Sequence, residues 1–142
     1  MNEIELTYHG VIYSKKNSKR IVTNWRTRRP IIVSNRNAKN QEAAMAWEFR
    51  DQARKEGWPA LSQNDKELAT HQYNINIEVW QKDLRRRDLD NQATAILDGL
   101  VAAGVLPDDC CEMVPKLAIE YKGVDRENPR ANIKIREIVW MV

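Results

Sequence analysis

The sequence predicts an α+β fold, a single domain over residues 1–142 with one mixed β-sheet and two main helices, and three observations carry that prediction. Apolar residues alternate with polar ones in several short stretches, which is the period of a half-buried strand. Two longer stretches repeat their apolar residues at helical spacing and run up to a glycine. A chain of 142 residues suits one core, since a domain of that size already buries about two-thirds of its unfolded surface.

Ile4, Leu6 and Tyr8 open the chain as a strand, and Gly10 begins a polar, basic stretch through Lys19. Ile21 to Trp25 and Pro30 to Val33, around a turn at Arg28 and Arg29, read as a hairpin whose second strand starts at a proline. Asn37 to Glu56 is helical, with Ala43, Ala44, Trp47 and Ala53 sharing a face and Gly57 as the stop. Trp58 to Thr70 is a polar connection. Ile75, Ile77 and Val79 alternate with Asn74, Asn76 and Glu78 as the clearest strand. The second helix, Asn91 to Ala103, carries Ile96, Leu97, Leu100 and Val101 as its apolar stripe and ends at Gly104. Leu117, Ile119 and Tyr121 alternate as a strand, Asp125, Asn128 and Pro129 are turn residues, and Ile133 and Ile135 open a last strand. This order puts both helices on one side of the sheet. Trp140, so near the end, is expected to be packed or to lie at an interface.

Hydrophobic residues are 42% of the chain and charged ones 30%, which places it among globular proteins and outside the disordered class. Cys110 and Cys111 are adjacent, so they build no disulfide framework, and the chain reads as cytosolic. Buried small residues are the expected role of both. His9 and His71 lie far from them and no C-x-x-C spacing exists, which argues against a soft-metal site. Met1 to Tyr8 holds acids and no long apolar run, so neither a signal peptide nor a membrane span is expected there. Net charge is only +3, but the basic residues cluster: Lys15, Lys16, Lys19 and Arg20; Arg26, Arg28 and Arg29; Arg85, Arg86 and Arg87. Such clusters suit a polyphosphate partner, or else simply solubilise the surface.

The segment Arg85-Arg86-Arg87-Asp88-Leu89-Asp90-Asn91, followed by Asp98 and by Pro107-Asp108-Asp109, carries the chemistry. Two carboxylates two positions apart at the end of a strand point to one side. Hard divalent cations take one or two protein carboxylates and leave other positions to water and phosphate. Acids set directly after arginines make sense where a cation must be held beside a polyanion. The bland alternative makes Asp90 the cap of the second helix and Asp108-Asp109 a solvated turn.

Asp88-Leu89-Asp90-Asn91, Ile96-Leu97-Asp98-Gly99-Leu100, Gly104-Val105 and Asp108-Asp109, in that order, resemble the RusA-like Holliday-junction resolvases. Gly10 followed by Ser14-Lys15-Lys16-Asn17, with Ile21 beyond, is similar to the opening of phage-borne members. The resemblance implies a cytoplasmic homodimer, of phage or prophage origin, that binds four-way DNA junctions and nicks two strands with Mg²⁺, Mn²⁺ being able to substitute. It places the catalytic, metal-binding acids at Asp88, Asp90 and Asp109, with Asn91, Asp108 and Thr94 in support. DNA contact falls to Lys15, Lys16, Asn17, Lys19, Arg85, Arg86 and Arg87. Asp98 matches a family acid, and helix-surface structure is its expected role. A junction-binding protein with weak or lost nuclease activity, and a general nuclease of branched DNA, are the alternatives.

Thr94 stands where the family often has a lysine that would project at the metal site. Either another cation, such as Arg87, Lys116 or Lys122, replaces it, or catalysis is weak. Reach constrains Asp109 as well. The second helix is roughly 20 Å long at 1.5 Å per residue, and the return from Gly104 spans only about 16 to 18 Å when extended. Asp109 therefore meets its own Asp88 and Asp90 only on a nearly straight return, and otherwise serves a partner's site.

Overall fold

The computed structural model describes residues 2–13, 19–34, 36–62 and 71–139. Its elements are β1 (Glu3–His9), β2 (Lys19–Asn24), β3 (Arg29–Ser34), α1 (Arg36–Lys55), β4 (His71–Gln81), α2 (Leu89–Ala102), β5 (Lys116–Val124) and β6 (Arg130–Val139). The main sheet has the order β1-β6-β4-β5. β6 runs antiparallel to both β1 and β4, whereas β4 and β5 are parallel, so the expected α+β fold with a mixed sheet is found. β2 and β3 form a separate hairpin. Gln63 to Thr70 of the polar connection and Trp140 lie outside the described residues.

One face of the sheet makes the core. Leu6, Ile75, Ile77, Ile133 and Ile135, alternate residues on three neighbouring strands, are fully buried with Met45 and Phe49 of α1 and with Ile96 and Leu100 of α2. Gly99 lets the two helices approach closely, for a Cβ there would stand 2.9 Å from the Met45 Cβ. Two glutamines of α1 tie down β1 and the segment that follows it. The Gln52 amide donates to the Thr7 carbonyl at 2.7 Å and accepts from the Thr7 N–H at 2.8 Å, replacing a missing strand neighbour at this sheet edge. Gln41 makes the same pair of bonds to the backbone of Tyr13.

Both helices end alike. Gly57 (φ 77) and Gly104 (φ 72) take the left-handed conformation, and the next residues, Trp58 and Val105, donate back to Ala53 and Leu100. This is the glycine-dependent cap expected from their positions. The Leu61 N–H donates to the Gly104 carbonyl at 2.7 Å and the Trp58 indole to the Val105 carbonyl at 2.9 Å, which fixes the exit from α2.

Four expectations need correction. The inward face of α1 is Gln41, Met45, Phe49 and Ala53; Ala43 and Ala44 are exposed and Trp47 is 71% exposed. β4 stops at Gln81, so Asp88 and Asp90 are not placed by strand alternation but by the start of α2. Leu117 and Tyr121 are only half covered, because β5 is an edge strand. Cys110 and Cys111 are exposed rather than buried, since they follow the acids in a surface turn.

Candidate active site

The site begins where β4 ends. Residues 82 to 88 cross from Gln81 to α2, and Arg87 braces that crossing. Its Nη1 donates to Gln81 Oε1 at 2.9 Å and Asp83 Oδ1 at 2.7 Å, and its side chain is 13% exposed. The Arg87 bond, followed by the N–H of Arg85, holds the Asp83 carboxyl below the ordinary carboxylate range. Arg87 is thus structural in this setting, whereas Arg85 and Arg86 stand in solvent.

Asp88 is the residue preceding α2, extended at φ −88 and ψ 130, and its side chain makes no capping hydrogen bond. Asp90 lies in the first turn, where the helix dipole favours an acid, and is exposed. Among the described residues no donor engages its carboxylate. The capping alternative therefore fails for Asp90 and explains only the backbone of Asp88, whose carbonyl accepts from the Gln92 N–H at 3.2 Å. Arg86 Nε stands 3.8 Å from Asp88 Oδ1, a loose exposed pair that a stronger partner would displace.

Asp90, Thr94 and Asp98 follow one another at helical spacing along one side of α2. The Thr94 hydroxyl donates to the Asp90 carbonyl at 3.0 Å, so it is committed to its own helix. Asp109 sits beyond the helix exit with its N–H bonded to Asp108 Oδ1 at 2.9 Å. The residue is exposed as a whole, yet partial desolvation, then Asp108, and more weakly Asp98, push its carboxyl above the ordinary range. Among the described residues no three carboxylate, histidine or cysteine side chains converge on one point. The expected acids are thus displayed as the Asp88, Asp90 pair and the Asp108, Asp109 pair.

A depression of about 330 Å³ adjoins Asp88 and is lined by Ile12, Tyr13, Arg85, Arg86, Asn91 and Gln92, among others. Asn91, expected to orient the turn, faces this depression together with Asp88. The Gln92 Oε1, though buried, has no hydrogen-bond partner among the described residues. Sequence reasoning missed Tyr13 and Gln92. Gln92 had a local signal in its spacing of four from Asp88, while Tyr13 arrives from 75 residues away through the Gln41 clamp and had none. Lys15, Lys16 and Asn17 lie outside the described residues, and Lys19 opens β2. Lys116 and Lys122 do not stand in for a lysine at position 94. They lie on the uncovered face of the sheet, Lys116 beside Asn74, and Lys122 at 3.5 Å from Glu78 and 3.7 Å from Glu120.

Exposed carboxylates without capping bonds stand here beside exposed arginines at the start of a helix. The chain belongs to the endodeoxyribonuclease RusA family, whose model matches residues 13–136. The resemblance read from the acids and their spacing is borne out, and with it an endonuclease class. No curated protein matches the chain.

Proposed function

We propose that this protein is a homodimeric, Mg²⁺-dependent endonuclease that binds four-way DNA junctions and resolves them by paired nicks, and that Mn²⁺ can replace Mg²⁺. The observation that carries the reading is the pair Asp88 and Asp90, both left free by the helix they begin and both following arginines, in a chain of this family. The donor set fits a hard divalent cation: Asp88, Asp90 and Asp109 offer carboxylate oxygens, and two direct carboxylates with the rest through water is ordinary for Mg²⁺. When bound, the cation would supply an activated water and neutralise the leaving oxygen.

The chain does the rest. Arg85, and Arg86 once its loose pair with Asp88 yields, would take phosphate oxygens near the cut, and Arg87 keeps the crossing between β4 and α2 in place. The first N–H groups of α2 face the same region and favour an anion. Asn91 holds its place beside Asp88, and Asp108 sets the backbone of Asp109. Lys15, Lys16, Asn17 and Lys19 contribute backbone contacts that position the DNA without reading its sequence.

One observation favours a second reading, a junction-binding protein with weak nuclease activity: the Thr94 hydroxyl is spent on its own helix and supplies no charge. A synthetic four-way junction incubated with and without Mg²⁺ separates the two. Cation-dependent nicks are expected. Asp90→Asn should cut more than about 100-fold more slowly, beyond the loss seen when a merely supporting group of a metal site is removed, while junction affinity is kept. Wild-type nicking by Asp90→Asn would falsify the metal assignment.

A further inference from the structure

Trp25 stands at the tip of the β2–β3 hairpin and is 87% exposed, more than any other large apolar side chain among the described residues. An indole in water forgoes one of the largest burial gains any side chain offers, so its display asks for a partner. The tip around it is built rather than slack. The Arg28 N–H donates to the Asn24 carbonyl at 2.6 Å, the Arg26 N–H to Asn24 Oδ1 at 3.0 Å and the Arg29 N–H to Thr27 Oγ1 at 3.4 Å. Arg28 takes a left-handed φ of 57 to close the turn. Arg26, Arg28 and Arg29 are all exposed beside the indole.

An exposed indole on a turn that also carries three exposed arginines matches one chemistry closely, a nucleobase whose flanking phosphates must be neutralised. A linear duplex hides its base faces in the stack, but a branch point interrupts stacking and offers them. We propose that the hairpin tip is a branch-point wedge, with Trp25 stacking on a base or base pair exposed at the crossover and Arg26, Arg28 and Arg29 gripping the surrounding phosphates. This rests on branched DNA being the substrate, and it adds a structural selector separate from the acids that cut.

The two halves of the wedge differ physically, and a salt series tells them apart. Stacking releases no counterions, whereas each lost phosphate contact removes close to one unit from the slope of log affinity against log salt. Binding of a labelled four-way junction and of a linear duplex with the same arms is measured without divalent cation across that series. Trp25→Ala should weaken junction binding about tenfold, within the range for loss of one stacked base, with the slope and the duplex affinity unchanged. Trp25→Phe should recover most of the loss. Arg26→Ala with Arg28→Ala should weaken both DNAs and flatten the slope. Unchanged junction affinity in Trp25→Ala, an equal loss on junction and duplex, or a changed oligomeric mass pointing to a protein contact would each overturn the wedge. If the wild type itself shows no preference for the junction, the substrate reading fails and takes the wedge with it; a wild-type preference that Trp25→Ala retains sinks the wedge alone.

Discussion

Partial desolvation, then the neighbouring Asp108 and more weakly Asp98, disfavour the ionised form of Asp109. A carboxyl whose pKa is raised on folding favours the folded state while protonated. That contribution is complete below the ordinary carboxylate range and is lost as pH rises through the raised value. The Tm difference between Asp109→Asn and wild type should therefore move in the variant's favour as pH rises from about 3 to 7, and by no more than a few degrees. Thermal unfolding followed by circular dichroism at both pH values checks this, and a shift in the opposite direction means that the ionised carboxylate makes favourable bonds in the folded state. At this scale part was legible: Asp88 and Asn91, three positions apart across the start of α2, line one depression as their spacing allows. The exposure of Cys110 and Cys111 was not legible, since residue type says how often a side chain is buried and not which turn it occupies.

At the scale of elements, α2 is the part that positions the chemistry, and its depth in the fold depends on Gly99. An added methyl would lie 2.9 Å from the Met45 Cβ, closer than packed carbons tolerate. Overpacking of this kind costs about 1–3 kcal/mol, against a gain of at most about 1 kcal/mol from replacing glycine inside a helix. Gly99→Ala should thus destabilise the protein by about 1–2 kcal/mol in urea unfolding. Met45→Ala takes away the Sδ, 3.1 Å from that position, but keeps the Cβ, so in that background the same change should cost less without becoming free. An additive double variant would mean that the helices do not meet at this point. The sequence located both helices within a few residues through their periodicity and terminal glycines. It misplaced the inward face of α1, where Trp47 offers far more apolar area than its small neighbours. The packing surface instead admits Met45 and Phe49, stacked one turn apart, and leaves the indole outside.

For the whole molecule, the basic groups act on DNA as a sum, and the salt dependence of junction binding measures that sum. Lys15→Ala with Lys16→Ala should lower the slope of log affinity against log salt by up to about 1.8, at about 0.9 per phosphate contact. An unchanged slope removes this segment from the interface and leaves the arginines to carry it. The class of fold, the order of its elements and the family were set by the sequence itself, because each is written in residue type and short-range spacing that the backbone converts directly into strand or helix. Only the tertiary structure decided which groups remain available for work. It spends Arg87 on Gln81 and Asp83, turns Lys116 and Lys122 to the uncovered face of the sheet, brings Tyr13 to Asp88 through Gln41, and leaves Trp25 in solvent. The physical reason is that a charge or a ring acquires its role from partners distant along the chain, and those partners meet only when the core closes.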